Sequence, residues 1–170
     1  MGDPNLSKSF SKDIGLIKEV GIHPIIIHGG GPQIGERLKS KNITSNFVEG
    51  LRVTDKETIK VVEEVLAKDI NKEIVDSINE SGAKAIGLSG NQDNLINANK
   101  LKVEVKDTDS NIEKLVDIGF VGQPSKVNIE IIMSHVRKGE IPVIAPLGKD
   151  SQNNTYNINA DTAAGFIASQ

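Results

Sequence analysis

The sequence predicts an α/β protein built as an αβα sandwich, in which helices cover both faces of an open, mainly parallel β-sheet. Two short apolar runs, 24–28 and 141–145, lack the polar alternation of half-exposed strands, as the buried strands of parallel sheets do. Amphipathic helical patterns separate these runs, and alternation of strand and helix is typical of doubly wound folds. A length of 170 residues is typical of one domain, and a hydrophobic content of 37% is typical of a globular chain. We therefore expect a single domain over 1–170.

The longest predicted helix covers about 55–80. Thr54 and Glu57 have the spacing of a capping box at its start. Residues three or four positions apart form the stripe that we expect to be buried: Ile59, Val62, Leu66, Ile70, Ile74 and Ile78. The other helices are predicted at about 4–20, from Pro32, near 128–138 with Asn128 as the cap, and from Ala160.

The pattern changes over residues 95–127. Lys102–Lys106 and Leu115–Val121 alternate between polar and apolar residues, which predicts antiparallel strands. We therefore expect a β-ribbon that forms an excursion from the main sheet. Another buried strand is predicted at 84–89, just before this ribbon.

Composition excludes several classes of protein. There is no cysteine, so disulfides, thiolate nucleophiles and zinc–thiolate sites are ruled out. A formal net charge of -3 without a basic stripe predicts no nucleic-acid partner. A membrane-spanning helix needs about 20 consecutive apolar residues, and no apolar run in the sequence approaches this length, so no membrane partner is predicted. A cytoplasmic location is the default expectation.

Three glycines follow the first buried strand, in the run His28-Gly29-Gly30-Gly31-Pro32. Glycine lets backbone N–H groups turn toward an anion, and the N-terminus of the next helix adds a positive partial charge. The spacing is that of neither a Walker A loop nor a dinucleotide fingerprint. The loop predicts a phosphate or carboxylate site, and a tight turn without a ligand is the alternative.

Arg52 is the second candidate, in a loop just before the longest helix. A guanidinium can hold a carboxylate with two parallel hydrogen bonds, which lysine cannot do. The alternative is a surface arginine paired with Glu49 or Asp55.

Asn157, Asn159 and Asp161 form the third cluster. Alternation in an extended segment would place all three on one face. Asp161 could instead stabilise the N-terminus of the following helix. His28, which adjoins the glycines, is interpreted as structural, and no metal site is predicted because the three histidines lack partners at ligand spacing.

Seven segments of the sequence, in this order and spacing, resemble the acetylglutamate kinases of the amino acid kinase family. The resemblance covers nearly the whole chain. The segments are His28-Gly-Gly-Gly-Pro-Gln-Ile-Gly35, Phe47-Val-Glu-Gly-Leu-Arg-Val-Thr-Asp55, Asn71-Lys-Glu-Ile74, Gly87-Leu-Ser-Gly90, Gly119-Phe-Val-Gly122, Ile141-Pro-Val-Ile-Ala-Pro146 and Tyr156-Asn-Ile-Asn-Ala-Asp-Thr-Ala-Ala164.

The resemblance implies transfer of a phosphoryl group from ATP, with Mg²⁺, to the side-chain carboxylate of N-acetyl-L-glutamate in arginine biosynthesis. By position, the N–H groups of Gly30 and Gly31 would contact the reacting carboxylate and the phosphoryl group. Arg52 would hold the α-carboxylate of the substrate. Asn157 would bind the acetylamino part with Asn159 close by, and Asp161 would organise the catalytic lysines.

The resemblance also implies departures. Members of the family begin with a strand that carries a catalytic lysine and end with a nucleotide lobe, and neither matches a segment of this chain. We therefore expect an acid-binding lobe that is inactive alone, binds no cofactor tightly and forms a homodimer. A non-catalytic module that binds acetylglutamate or mediates dimerisation, and a lobe of another amino acid kinase, are the alternatives.

Overall fold

The computed structural model describes residues 4–106 and 113–170. Helices and strands alternate along most of the chain, and the longest helix contains a π-helical segment, Glu64–Ile70. The helices are α1 (Pro4–Glu19), α2 (Gly31–Ser40), α3 (Lys56–Glu63), α4 (Asn71–Glu80), α5 (Ile129–Arg137) and α6 (Ala160–Ala168). The strands are β1 (Ile26–Ile27), β2 (Phe47–Val48), β3 (Leu51–Arg52), β4 (Ala85–Ser89), β5 (Ile96–Lys106), β6 (Glu113–Val127), β7 (Ile141–Ala145), β8 (Leu147–Lys149) and β9 (Thr155–Asn157).

The main sheet has the order β1-β7-β4, and both pairings are parallel. All five residues of β7 are buried, since a strand lies on each side of it and helices cover both of its faces. The sequence predicted that β1 is a buried central strand, and this is wrong: in the described chain β1 pairs only with β7, and both of its residues are half-buried.

Helices cover both faces of this sheet, which confirms the αβα prediction. Successive residues of β7 face opposite sides, so Val143 contributes to one hydrophobic core and Ile144 to the other. The first core contains residues of α2 and of the long helix 56–80, and the second contains residues of α5 and α6. No helix of the described residues is long and apolar enough to cross a membrane.

The long helix runs without a break from α3 through the π-helical segment to α4. All six residues of its predicted stripe are buried. The predicted capping box is wrong: Asp55 is the N-cap, and its Oδ1 accepts from the N–H groups of Glu57 and Thr58 at 3.1 and 2.7 Å. The Thr54 hydroxyl instead donates to the carbonyl of Arg52. Asn128 precedes α5 but makes no side-chain cap bond.

The predicted ribbon is present as β5 and β6, an antiparallel pair in which Lys102 lies opposite Asp117. Strands β8 and β9 join it, so that the four strands close on themselves in the order β5-β6-β9-β8. Glycines make this closure possible: a Cβ on Gly122 would lie 2.7 Å from the Cβ of Tyr156, and one on Gly148 would lie 2.6 Å from the Cβ of Ala98.

Candidate active site

A cavity of about 210 Å³ opens where the carboxyl ends of β1 and β7 meet the β2–β3 hairpin. Open α/β sheets bind their ligands at this edge. Its walls come from the glycine loop, the hairpin, the long helix, β6 and the segment after β7. The lining residues are Gly29, Gly30, Gly31, Ile34, Phe47, Gly50, Leu51, Arg52, Leu66, Val121, Pro146, Asn157, Ile158, Asn159 and Ala160.

The glycine loop forms one wall and leads directly into α2. Gly30 is the N-cap of this helix and Gly31 is its first residue, so their N–H groups have no acceptor within the helix. A Cβ on Gly30 would lie 2.4 Å from Ile70 Cδ1 and 2.8 Å from Leu66 Cδ2. The long helix therefore packs so closely on the loop that a side chain at position 30 would displace the ends of Leu66 and Ile70.

Arg52 is buried rather than on the surface, which contradicts the surface alternative. Its Nη2 donates to the carbonyl of Gly31 at 3.0 Å, its Nη1 donates to the hydroxyl of Ser45, and its guanidinium lies 4.7 Å from the ring centroid of Phe47. No carboxylate pairs with it among residues 5–105 and 114–170, whose side chains the structure describes. Burial lowers the pKa of Arg52 from its ordinary value because the charged form loses hydration.

Thr54 connects the Arg52 segment to the ribbon. Its N–H donates to the carbonyl of Ile118 at 2.9 Å, and its own carbonyl accepts from the N–H of Phe120. The Thr54 hydroxyl donates to the carbonyl of Arg52 at 2.8 Å. Gly119 lies between the two bridging positions with φ +82, and a Cβ there would lie 2.1 Å from the Thr54 carbonyl oxygen.

The third predicted cluster is only partly assembled. Asn157 and Asn159 both line the cavity, and in the described chain no protein group hydrogen-bonds the side-chain amide of Asn157. Asn159 is the N-cap of α6 and accepts from the N–H of Thr162 at 3.0 Å. Because the extended segment ends there, Asp161 lies exposed in the first helical turn, outside the cavity lining. The predicted shared face therefore includes the two asparagines but not Asp161.

His28 supports the glycine loop from behind. Its Nδ1 lies 3.2 Å from the carbonyl of Gly29, and its Nε2 lies 3.2 Å from Nδ2 of Asn71. Burial lowers the pKa of this imidazole below its ordinary value. Sequence patterns alone did not assign a role to Asn71, since a polar residue on a long helix is usually solvated, yet this one is buried.

No group of three or more histidine, aspartate or glutamate side chains in the described residues could hold a metal ion. The cavity is lined by the glycine loop at the N-terminus of α2, by Arg52, and by Asn157 and Asn159, which offer backbone N–H groups, a guanidinium and side-chain amides. Such donors suit an anionic ligand that also carries an amide.

The sequence profile of the amino acid kinase family matches residues 1–170. The chain belongs to the amino acid kinase family. An acetylglutamate kinase from Rhodospirillum centenum is 54% identical over 168 residues, which are 99% of this chain and 55% of the relative. This amino acid kinase chain thus spans about half the length of the curated relatives it matches.

Solved structures share its fold. The smu.665 protein of Streptococcus mutans has a TM-score of 0.81 at 24% identity and covers 96% of this chain and 64% of that one. N-Acetylglutamate synthase from Neisseria gonorrhoeae, solved with coenzyme A and N-acetylglutamate, has a TM-score of 0.75 at 20% identity over 98% of this chain and 36% of its own. Both confirm the α/β class with a mainly parallel sheet.

Proposed function

We propose that the chain is the acid-binding lobe of an acetylglutamate kinase and that its cavity binds N-acetyl-L-glutamate. The observation that supports this most is Arg52, a buried guanidinium that faces the cavity without a carboxylate partner in the described chain. A buried charge without a partner is costly, so the geometry favours a ligand that brings a carboxylate.

The proposed reaction is transfer of the γ-phosphoryl group of ATP to the side-chain carboxylate of the bound acid. This carboxylate is ionised at neutral pH, so it needs no general base. Catalysis then depends on alignment of the two anions and on stabilisation of the charge between them. The N–H groups of Gly30 and Gly31, at the N-terminus of α2, suit that task.

The other residues take the parts that the family resemblance implies. Arg52 holds the α-carboxylate, and Asn157 offers its free amide to the acetylamino group, with Asn159 close by. Asp161, exposed in the first turn of α6, would organise the catalytic lysines, which we propose lie outside this chain together with the nucleotide site. Mg²⁺ would enter with ATP as part of the co-substrate, and we assign no residue of this chain to hold it.

We further propose that the protein works in the cytoplasm and forms a homodimer through this lobe. Exposed apolar side chains near the end of α1, which include Leu16 and Val20, favour such an association.

Titration calorimetry with N-acetyl-L-glutamate tests the proposed site. The chain should bind this ligand in preference to L-glutamate, and Arg52→Ala should weaken binding by about 10- to 100-fold because a charged hydrogen-bond pair is lost. Arg137→Ala is the matched control, since Arg137 is exposed and pairs only with Glu130 in the described chain. Preference for another acid would identify a different amino acid kinase, and no binding of any acid would contradict the proposal.

A hydroxamate assay with ATP and N-acetyl-L-glutamate tests the claim that the catalytic lysines lie elsewhere. The chain alone should form no more product than the Gly30→Asp variant. Product formation well above that control would mean that these 170 residues contain the complete catalytic machinery.

A further inference from the structure

We infer that His28 and Asn71 are positioning residues that set the direction of the Gly30 N–H group, and hence the anion-binding geometry of the glycine loop. The inference rests on the proposed function only in naming the anion as a carboxylate or phosphoryl group. Its structural part, the control of one peptide group by two buried side chains, stands on the hydrogen bonds alone.

The partners of His28 define its protonation. A carbonyl oxygen only accepts hydrogen bonds, so Nδ1 must donate to Gly29 at 3.2 Å. On the other side of the ring, the Asn71 Nδ2 group only donates, so Nε2 must accept at 3.2 Å. The imidazole is therefore neutral and carries its proton on Nδ1.

Asn71 is itself fixed in one orientation. Its Nδ2 donates to the carbonyl of Val143 at 2.9 Å, in the central strand of the sheet, and lies farther from the carbonyl of Leu88, at 3.4 Å. A flipped amide would point Oδ1 at that carbonyl and lose the bond. The neighbouring strand makes room for this side chain, because a Cβ on Gly87 would lie 2.2 Å from Asn71 Oδ1. The sheet thus orients Asn71, and Asn71 orients His28.

The geometry of the peptide bond carries this orientation to the loop. The carbonyl of Gly29 and the N–H of Gly30 belong to the same planar trans unit, so they point in opposite directions. The hydrogen bond that His28 Nδ1–H donates to the Gly29 carbonyl therefore turns the Gly30 N–H away from the ring. The next peptide is fixed in a similar way, since the carbonyl of Gly30 accepts from the N–H of Ile34 at 2.9 Å. The loop donors are preorganised before any ligand arrives.

Nitrogen-15 NMR of the whole chain tests the structural part without a ligand. A long-range ¹H–¹⁵N spectrum at pH 7 should show His28 as the neutral Nδ1–H tautomer. In His28→Ala the amide resonance of Gly30 should shift strongly, whereas His23→Ala, a matched change at an exposed histidine, should leave it in place. His28→Asn places an amide donor near the position of Nδ1 and should restore most of the wild-type shift.

Binding of N-acetyl-L-glutamate by the same variants tests the functional part. Affinity should fall about tenfold in His28→Ala, as expected for the loss of one well-placed donor, and should recover in His28→Asn. A folded His28→Ala chain with an unchanged Gly30 resonance would overturn the inference, as would an Nε2–H tautomer in the wild-type chain.

If wild type binds no acid while the tautomer and the Gly30 shift are as expected, the proposed function fails and the inference stands. If His28→Ala does not fold, the inference is tested by the wild-type tautomer and by the Gly30 resonance of His28→Asn. An Nε2–H tautomer, or a Gly30 resonance in His28→Asn far from that of wild type, would overturn it.

Discussion

Two of the three consecutive glycines in the loop, Gly30 and Gly31, differ in the space around them. Gly30 has no room for a side chain, because Leu66 and Ile70 of the long helix lie against it. Gly31 has open space where a Cβ would be. Close packing therefore excludes a larger side chain at Gly30, whereas Gly31 has space around it and its N–H can face the cavity.

Alanine substitutions should separate these two positions. Gly30→Ala should lower the free energy of unfolding by about 1–3 kcal/mol, because the new methyl group overpacks a contact between buried side chains. Gly31→Ala should change it by less than about 0.5 kcal/mol. Urea denaturation of both variants measures the difference, and equal destabilisation would show that the long helix does not press on Gly30.

Arg52 and Asp161 show how far residue types alone could predict the site. The predicted carboxylate role of Arg52 required burial, and the loop sequence around it did not reveal that Phe47 and Ser45 would enclose its guanidinium. Asp161 follows Asn159 at strand spacing, but Asn159 caps a helix, so the alternation ends before Asp161. The same residues fit both a helix cap and an alternating strand, and the backbone conformation shows that the helix begins after Asn159.

At the scale of elements, the ribbon and the Arg52 segment act as one unit through the bridge between Thr54 and Gly119. Gly119→Ala would force a Cβ to 2.1 Å from the Thr54 carbonyl oxygen at φ +82. We expect a loss of more than about 2 kcal/mol in the free energy of unfolding, since both backbone strain and a clash arise. Acid binding should also weaken, because the Thr54 hydroxyl holds the carbonyl of Arg52.

Gly139→Ala is the matched control for this prediction. Gly139 has a similar φ of +76 but open space around a new Cβ, so its substitution should cost about 1 kcal/mol from strain alone. It should leave acid binding unchanged. Calorimetry measures acid binding and urea denaturation measures the free energy of unfolding for both variants. If both variants lost the same acid affinity, the bridge between Thr54 and Gly119 would not position Arg52.

Most elements could be predicted from periodicity, but the π-helical segment 64–70 could not. The buried stripe of the long helix repeats mainly at intervals of four residues, and this spacing drifts around a regular α-helix of about 3.6 residues per turn. The wider turns of a π-helix offset that drift and keep Leu66 and Ile70 against the glycine loop. The short strand β8 was also missed, since its pairing depends on the closure of distant segments, and the β2–β3 hairpin lies where the sequence predicted a loop around Arg52.

At the scale of the whole molecule, stability should fall as the pH is lowered, and His28 and Glu140 should contribute to this fall over different pH ranges. Burial holds the pKa of His28 below 6.5, so the unfolded chain takes up this proton first and stability declines below about pH 6.5. The hydrogen bond from His135 and the ion pair with Lys84 lower the pKa of Glu140 from 4.5 to about 2. The contribution of Glu140 to the free energy of unfolding is therefore complete above about pH 4.5 and is lost as the pH falls toward 2.

Urea denaturation at pH 7, 5.5 and 3.5 measures both contributions. His28→Asn should remove most of the decline between pH 7 and 5.5, and Glu140→Gln should reduce the decline between pH 5.5 and 3.5. A wild-type chain that is equally stable at all three pH values would contradict both assignments.

The parallel pairing of Ile26 with Val143 has a consequence for the way the chain acquires its function. The glycine loop follows β1 early in the sequence, yet the N–H of His28 reaches its acceptor, the carbonyl of Ile144, only when β7 is in place. Contacts this distant in sequence form late, because the entropy of closing the intervening chain must be overcome first. During synthesis on a ribosome, the acid site would therefore be completed only after the central strand has emerged.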